Sequence, residues 1–223
     1  MEIGSFADQQ PRRSGGTCTV CAAAEIHGLF PLNPYIVSGI LDMCFDIICD
    51  KDGHPKSQVH GFGLASPTLL FRYPWYSFDS SSWVSYGRYG IIILPILKDN
   101  KFVYDRPPIK VFVTERSTRK GEDGKHFKTL SKMEQDVFKA YVESKNVPFG
   151  QSEYRIVSEG YELTSEERFA NKTKTAVEIV YEEGVVNSNF YRDYINYCFY
   201  MDLSLAVGDY PRKFKRNAIG PLF

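Results

Sequence analysis

HGFGLASPTLLFRYPWYSFDSSSWVSYGRYG, residues 60–90, is the stretch whose reading decides the fold. Val59 to Leu64 reads as a short buried strand that stops in small residues. The Trp75 to Trp83 segment reads as a second strand that stops in Asp79 and a run of serines. Between them, Ser66 to Arg72 has the content of a short helix. The order is strand, glycine turn, helix, strand. In parallel α/β architectures, and above all in (β/α)8 barrels, chemistry is placed at the carboxyl ends of strands. Asp79, a lone carboxylate at such an end, is therefore the first functional candidate.

Two readings of Asp79 stand side by side. A carboxylate between Phe78 and serines suits a nucleophile or general base in a partly desolvated pocket. It also suits a helix N-cap or a turn. His60-Gly61-Phe62-Gly63 is the second candidate: its glycines let a ligand approach the backbone, and His60 would orient it. The same four residues equally make a tight turn around a core histidine, and a lone GxG is a weak signal.

Outward from this block, Ile36 to Ile48 repeats apolar residues with helical spacing. Asp50-Lys51-Asp52-Gly53 ends that helix, with Gly53 suited to a left-handed position. On the other side, Tyr89 to Leu97 and Lys101 to Tyr104 flank Asp99-Asn100 as a β-hairpin, with Pro95 arguing for an edge. Lys110 to Thr114 is a further strand, and 115–128 an exposed basic loop. Ser131-Lys-Met-Glu134 is a capping box that opens a helix. Thr164-Ser-Glu-Glu167 repeats the signal and predicts a second helix to about Glu183. A third, aromatic helix is expected from about Ser188 to Ala206. The organisation predicted is an N-terminal segment over 1–30, an α/β segment over 31–115 and a mostly helical region over 116–223.

The chain has 223 residues, 43% hydrophobic and 15% aromatic, enough for a substantial core. Its 27 basic and 27 acidic residues cancel, so no global field recruits nucleic acid, although local patches still can. No run reaches the roughly 18 apolar residues of a membrane span. The first residues lack the apolar core of a signal peptide, so a cytoplasmic location and no membrane partner are expected. Cys44, Cys49 and Cys198 fall in apolar patterns and read as reduced core thiols.

Three weaker candidates remain. Cys18, Cys21 and His27 supply three zinc-ligand types, but no fourth ligand stands nearby, and no metal or other cofactor is expected. Arg116, Arg119, Lys120, Lys125, His126 and Lys128 make a basic loop, and Arg212, Lys213, Lys215 and Arg216 a basic tail. Either set can contact phosphates, or be solvated surface. Tyr73, Trp75, Tyr76 and Trp83 can stack on a base or pack in the core.

The 60–90 block resembles the last two strand units of the tRNA-guanine transglycosylase barrel, and most closely the phage and bacterial DpdA-type branch, which inserts 7-deazaguanine bases into DNA. The shared elements are a strand ending in a glycine-rich turn, a proline, a short helix, a strand ending Phe-Asp-Ser, and an Arg-Gly element soon after. The resemblance covers about thirty residues, or about sixty with the preceding helix. It implies a pentosyltransferase in which Asp79 attacks the anomeric carbon, expels guanine and holds the sugar covalently until a 7-deazaguanine base adds. A carboxylate suits this role because it can form a glycosyl ester and leave again. The base must first leave its stack. His60, Gly61, Phe62, Gly63, Ser80, Trp83 and Arg88 would then line the base or sugar site, and the basic loop would contact DNA, with tRNA the lesser alternative.

The resemblance implies a fold of class α/β: a partial (β/α)8, or TIM-type, barrel, followed by a β-hairpin and a helical carboxyl-terminal region. A closed barrel needs about 250 residues, and only about 35 precede the first matched helix. The family's Asp-Ser-Gly-Gly-type motif and its zinc cluster have no counterpart in this sequence. The expectation is a subunit or fragment of a transglycosylase, completed by a partner chain or by another copy. The competing expectation is a non-catalytic nucleic-acid-binding or assembly protein derived from that barrel.

Overall fold

The computed structural model describes residues 34–115 and 125–214. Among the described residues the chain is mixed α/β, with five α-helices and several small sheets, none of them closed. It divides into two units. Among the described residues, the first takes those up to Ser82, the segment Val103–Pro107 and those from Asp202; the second takes Trp83–Phe102 and those between Pro108 and Met201.

In the first unit, α1 (Pro34–Ile48) forms where helical periodicity predicts it. It buries Leu41 and Phe45 and leaves Ile40, Met43 and Ile47 exposed on another face. Asp50 ends it by accepting from the backbone N–H groups of Asp52 and His54 through Oδ1, and Gly53 takes φ +85°. Strand β1 (His60–Gly61), helix α2 (Pro67–Arg72) and strand β2 (Ser77–Phe78) follow. Strands β1 and β2 pair in parallel, His60 opposite Ser77 and Gly61 opposite Phe78, with α2 as the crossover that parallel pairing requires.

An aromatic cluster fills this unit. Phe45 stacks on Tyr73 at 4.9 Å between ring centroids and meets Trp75 edge-on at 5.0 Å; Phe214 stacks on Tyr73 at 5.4 Å. The Tyr73 hydroxyl reaches Ser38 O and Asp42 Oδ1, and Arg72 pairs with Asp42 Oδ2 at 2.6 Å. Burial foremost, aided by the Asp42 bond, pushes the Tyr73 phenol far above its usual range. These partners let the hydroxyl and one end of the guanidinium sit inside, while Arg72 Nε is buried without a hydrogen-bond partner. Tyr73 and Trp75 are thus core residues.

In the second unit, β3 (Ile91–Leu94) pairs antiparallel with β6 (Ile109–Phe112), and β6 pairs in parallel with β7 (Lys125–His126). Pro95 separates β3 from β4 (Ile96–Lys98), which pairs with β5 (Lys101–Val103) in a sheet of its own. The expected hairpin is therefore shorter than predicted. Its turn has Asp99 and Asn100 both at positive φ, 49° and 58°, the backbone a two-residue hairpin loop demands.

The capping box at Ser131 and Glu134 is present in full and opens α4 (Lys132–Ser144). The helix expected from Thr164 to Glu183 is absent. Glu167 Oε2 does reach back to the Thr164 N–H at 3.0 Å, but across a turn. The chain then forms β9 (Glu167–Phe169) and β10 (Ala176–Glu182), which join β8 (Gln151–Ile156) in the order β8-β10-β9. Val177, Ile179 and Val180 favour the strand because β-branched side chains lose rotamer freedom in a helix. The described residues after 115 are therefore strand and helix together rather than mostly helix.

Helix α5 (Asn189–Val207) matches the third helix expected. Its buried Asn196 stitches the free edge of the buried strand β3: Oδ1 accepts from Ile93 N–H, and Nδ2 donates to Ile91 O and Trp83 O. One amide side chain thus satisfies an edge strand that would otherwise offer open pairing groups.

Candidate functional site

The parallel β1/β2 pair continues past its two-residue core. Tyr76 N–H donates to Val59 O at 2.9 Å, and Asp79 N–H to Gly61 O at 3.1 Å. Asp79 therefore leaves β2 at its carboxyl end, as the sequence implies. The two-residue period of a strand puts Ser77 and Asp79 on one face, and the register brings His60 opposite Ser77.

The result is a compact polar array. His60 Nδ1 lies 2.9 Å from Ser77 Oγ, and His60 Nε2 lies 3.4 Å from Asp79 Oδ2. The Gly63 N–H donates to Asp79 Oδ1 at 2.6 Å. The carboxylate is thus held by a backbone donor on one oxygen and faced by an imidazole on the other. Its side chain is 46% exposed and that of His60 31%, so a ligand can reach both.

The glycines have separate reasons. Gly63 sits at φ +67°, a conformation that side chains with a Cβ rarely adopt, and this backbone aims its N–H at Asp79. A Cβ at Gly61 would come within 2.9 Å of Leu64 Cδ2 and 3.3 Å of Trp75. Gly61 thus allows the turn to close on the buried Leu64. Phe62 between them is 57% exposed beside the array in sequence.

The remaining predicted residues are placed differently. Ser80 is buried, and its Oγ accepts from Ser82 N–H at 3.1 Å, a local turn bond. Trp83 and Arg88 belong to the second unit, on α3 (Ser82–Arg88); Trp83 meets Tyr197 edge-on at 6.0 Å, and Arg88 is exposed. Tyr76 packs edge-on against Tyr210 at 5.2 Å. In the basic tail, Arg212 turns inward and donates to Leu70 O and Tyr73 O at 2.8 and 2.9 Å, closing the last carbonyls of α2. It is spoken for as a cap rather than presented to phosphate.

In the basic loop, Lys125 pairs through its backbone in β7, and Lys128 forms an ion pair with Glu115 at 2.9 Å. Arg116, Arg119 and Lys120 lie outside the described residues, as do Cys18, Cys21, His27, Lys215 and Arg216. No group of three His, Cys, Asp or Glu side chains among the described residues could hold a metal ion, and no described helix is long and apolar enough to cross a membrane.

Two features escaped the sequence reading. Ser77 is one, and its signal was available: two residues before Asp79 on a strand means the same face. The other is a cavity of about 340 Å³ lined by Asp46, Cys49, the 50–53 loop and Phe214. There, backbone N–H donors, His54 first, hold the Asp50 carboxyl below its usual range, and burial pushes the Cys49 thiol up. Comparisons with protein-family models, with curated proteins and with solved structures returned no match to this chain.

Proposed function

We propose that this chain acts on the N-glycosidic bond of guanine in DNA, as a subunit or fragment of a guanine transglycosylase with Asp79 as nucleophile. The observation that carries the reading is the position of that carboxylate. It stands at the carboxyl end of a parallel strand pair, reachable from solvent, oriented by Gly63 N–H and faced by His60. In the first half-reaction an Asp79 oxygen bonds to C1′ while the C1′–N9 bond breaks, its electron pair leaving with guanine. In the second, the incoming 7-deazaguanine bonds to C1′ and the carboxylate leaves. Dividing one displacement into two lowers each barrier, and the reading requires a flipped base and a partner chain or second copy to complete the barrel.

A second reading rests on the same bond seen structurally. The 2.6 Å contact from Gly63 N–H makes Asp79 a clamp on the β1–α2 turn, and the chain would then bind or assemble on nucleic acid without catalysis. The discriminating experiment follows exchange of labelled guanine into DNA by the full chain, alone and in any complex recovered with it. Exchange by the wild type, lost in Asp79→Asn with the fold retained by circular dichroism, supports the nucleophile. Absence of exchange, with a salt-dependent DNA affinity equal in both proteins, supports the clamp.

A further inference from the structure

We propose that His60 is the proton-transferring residue of this site, and that the Ser77 hydroxyl positions it. The inference rests on the transglycosylase reading and extends it to the leaving base, which the nucleophile alone does not serve. Guanine expelled from C1′ carries the electron pair of the broken bond and leaves far more readily if a proton reaches its ring as the bond breaks. The group that delivers this proton must stand within a few ångströms of the nucleophile, because the attacking oxygen and the departing base lie on opposite faces of one carbon.

His60 meets that requirement. Nε2 lies 3.4 Å from Asp79 Oδ2, near the oxygen yet beyond the ordinary length of an N–H···O bond. It is therefore adjacent to the nucleophile without being committed to it. The other ring nitrogen is committed: Nδ1 lies 2.9 Å from Ser77 Oγ. That bond fixes the ring plane, and Ser77 is fixed in turn by the β1/β2 register. The arrangement leaves Nε2 as the one ring nitrogen open to a substrate.

The proton balance closes over the two half-reactions. With Asp79 ionised, the imidazolium carries protons on both nitrogens, Nδ1–H donating to Ser77 Oγ and Nε2–H facing the site. As the Asp79–C1′ bond forms, Nε2 gives its proton to the departing guanine. His60 is left neutral with its remaining proton on Nδ1, still held by Ser77. The carboxylate is now a neutral ester, so the anion that faced Nε2 is gone while its lone pair is exposed. When the incoming base attacks C1′, Nε2 takes the proton that base sheds, and Asp79 leaves as a carboxylate beside a restored imidazolium. No oxidant, metal or further reactant is needed.

The test uses leaving groups that differ in their need for a proton. Single-turnover release is measured from DNA holding guanine and from DNA holding 7-methylguanine, whose ring already carries a positive charge and departs neutral. For His60→Gln we expect release of guanine to fall by about 100-fold or more, the usual scale of general acid catalysis. Release of 7-methylguanine should fall by less than about tenfold. Ser77→Ala should show the same selectivity in weaker form, and Ser77→Thr, which keeps the hydroxyl, should restore it. Equal losses on both substrates in His60→Gln, with wild type active and Asp79→Asn inactive, would overturn the proposal and leave the nucleophile reading standing. A wild type that releases neither base, or an Asp79→Asn protein as active as wild type, would overturn that reading and this proposal together.

Discussion

At the scale of single residues, the site depends on Gly63 more than its lack of a side chain suggests. Its φ of +67° aims one N–H at Asp79 Oδ1, and the space around it is open, so only backbone conformation restricts what can replace it. Gly63→Ala should therefore cost about 1–2 kcal/mol, the penalty for a Cβ in the left-handed region. Gly63→Asn should cost less, because asparagine tolerates that region. Urea unfolding of the three proteins checks this order, and an alanine variant as stable as wild type would contradict it.

Asp193, in the second unit, makes a prediction in pH. Its Oδ1 is buried without a hydrogen-bond partner, close above Gly87. Burial raises its pKa, against the opposing pull of Arg192 and Arg88. A raised carboxyl pKa means that the folded chain binds the proton more tightly than the unfolded chain does. The stability it contributes is present below the ordinary carboxylate range, near pH 4, and is lost as pH rises through the raised value. Asp193→Asn removes this loss, so its Tm relative to wild type should improve between pH 4 and pH 7. A difference that stays flat, or that shrinks across that interval, would refute the assignment.

At the scale of elements, the short helix α2 holds the crossover between the two strands of the site, and six residues are too few to sustain it unaided. Arg212 closes its C-terminal carbonyls, and burial lowers the guanidinium pKa. Arg212→Ala should cost about 1–3 kcal/mol, the price of leaving several carbonyls short of a donor. Arg212→Lys should recover only part of that, since an ammonium cannot reproduce the forked geometry. Equal stability of the alanine variant and wild type in urea would show that water replaces the cap.

What the sequence reveals at this scale follows the range of the interactions. Helices α1, α4 and α5 are legible because their periodicity and caps are local. The false helix at 164–183 is the instructive case. Its capping signal is real chemistry, since Glu167 does bond to Thr164 N–H, but a turn satisfies the same bond. The β-branched run that follows then decides for strand. Asn196 on β3 and Arg212 on α2 could not be foreseen, because each joins residues more than a hundred positions apart.

At the scale of the molecule, the chain returns to its first unit twice, through Val103–Pro107 and again from Asp202. A linear division of the sequence does not reveal such an arrangement, because nothing local marks a segment that rejoins an earlier core. At the candidate site, Asp79, His60 and Gly63 meet as their places in the strand units imply, whereas Ser77 was not foreseen, Ser80 makes a local turn bond, and Trp83 and Arg88 lie on α3. The first three meet because parallel pairing and a two-residue period are local rules applied twice. The cancelling charge of the whole chain means that the proposed function requires DNA to be held by local contacts rather than by a general field.

The central claim, that Asp79 bonds to the sugar, is tested most directly by denaturing the full chain during reaction with guanine-containing DNA and locating any covalent adduct by peptide mass. The account predicts a DNA adduct on the peptide that contains Asp79, absent from Asp79→Asn and discharged when a 7-deazaguanine base is added before the quench. An adduct on another residue, or one that persists unchanged in Asp79→Asn, would contradict it.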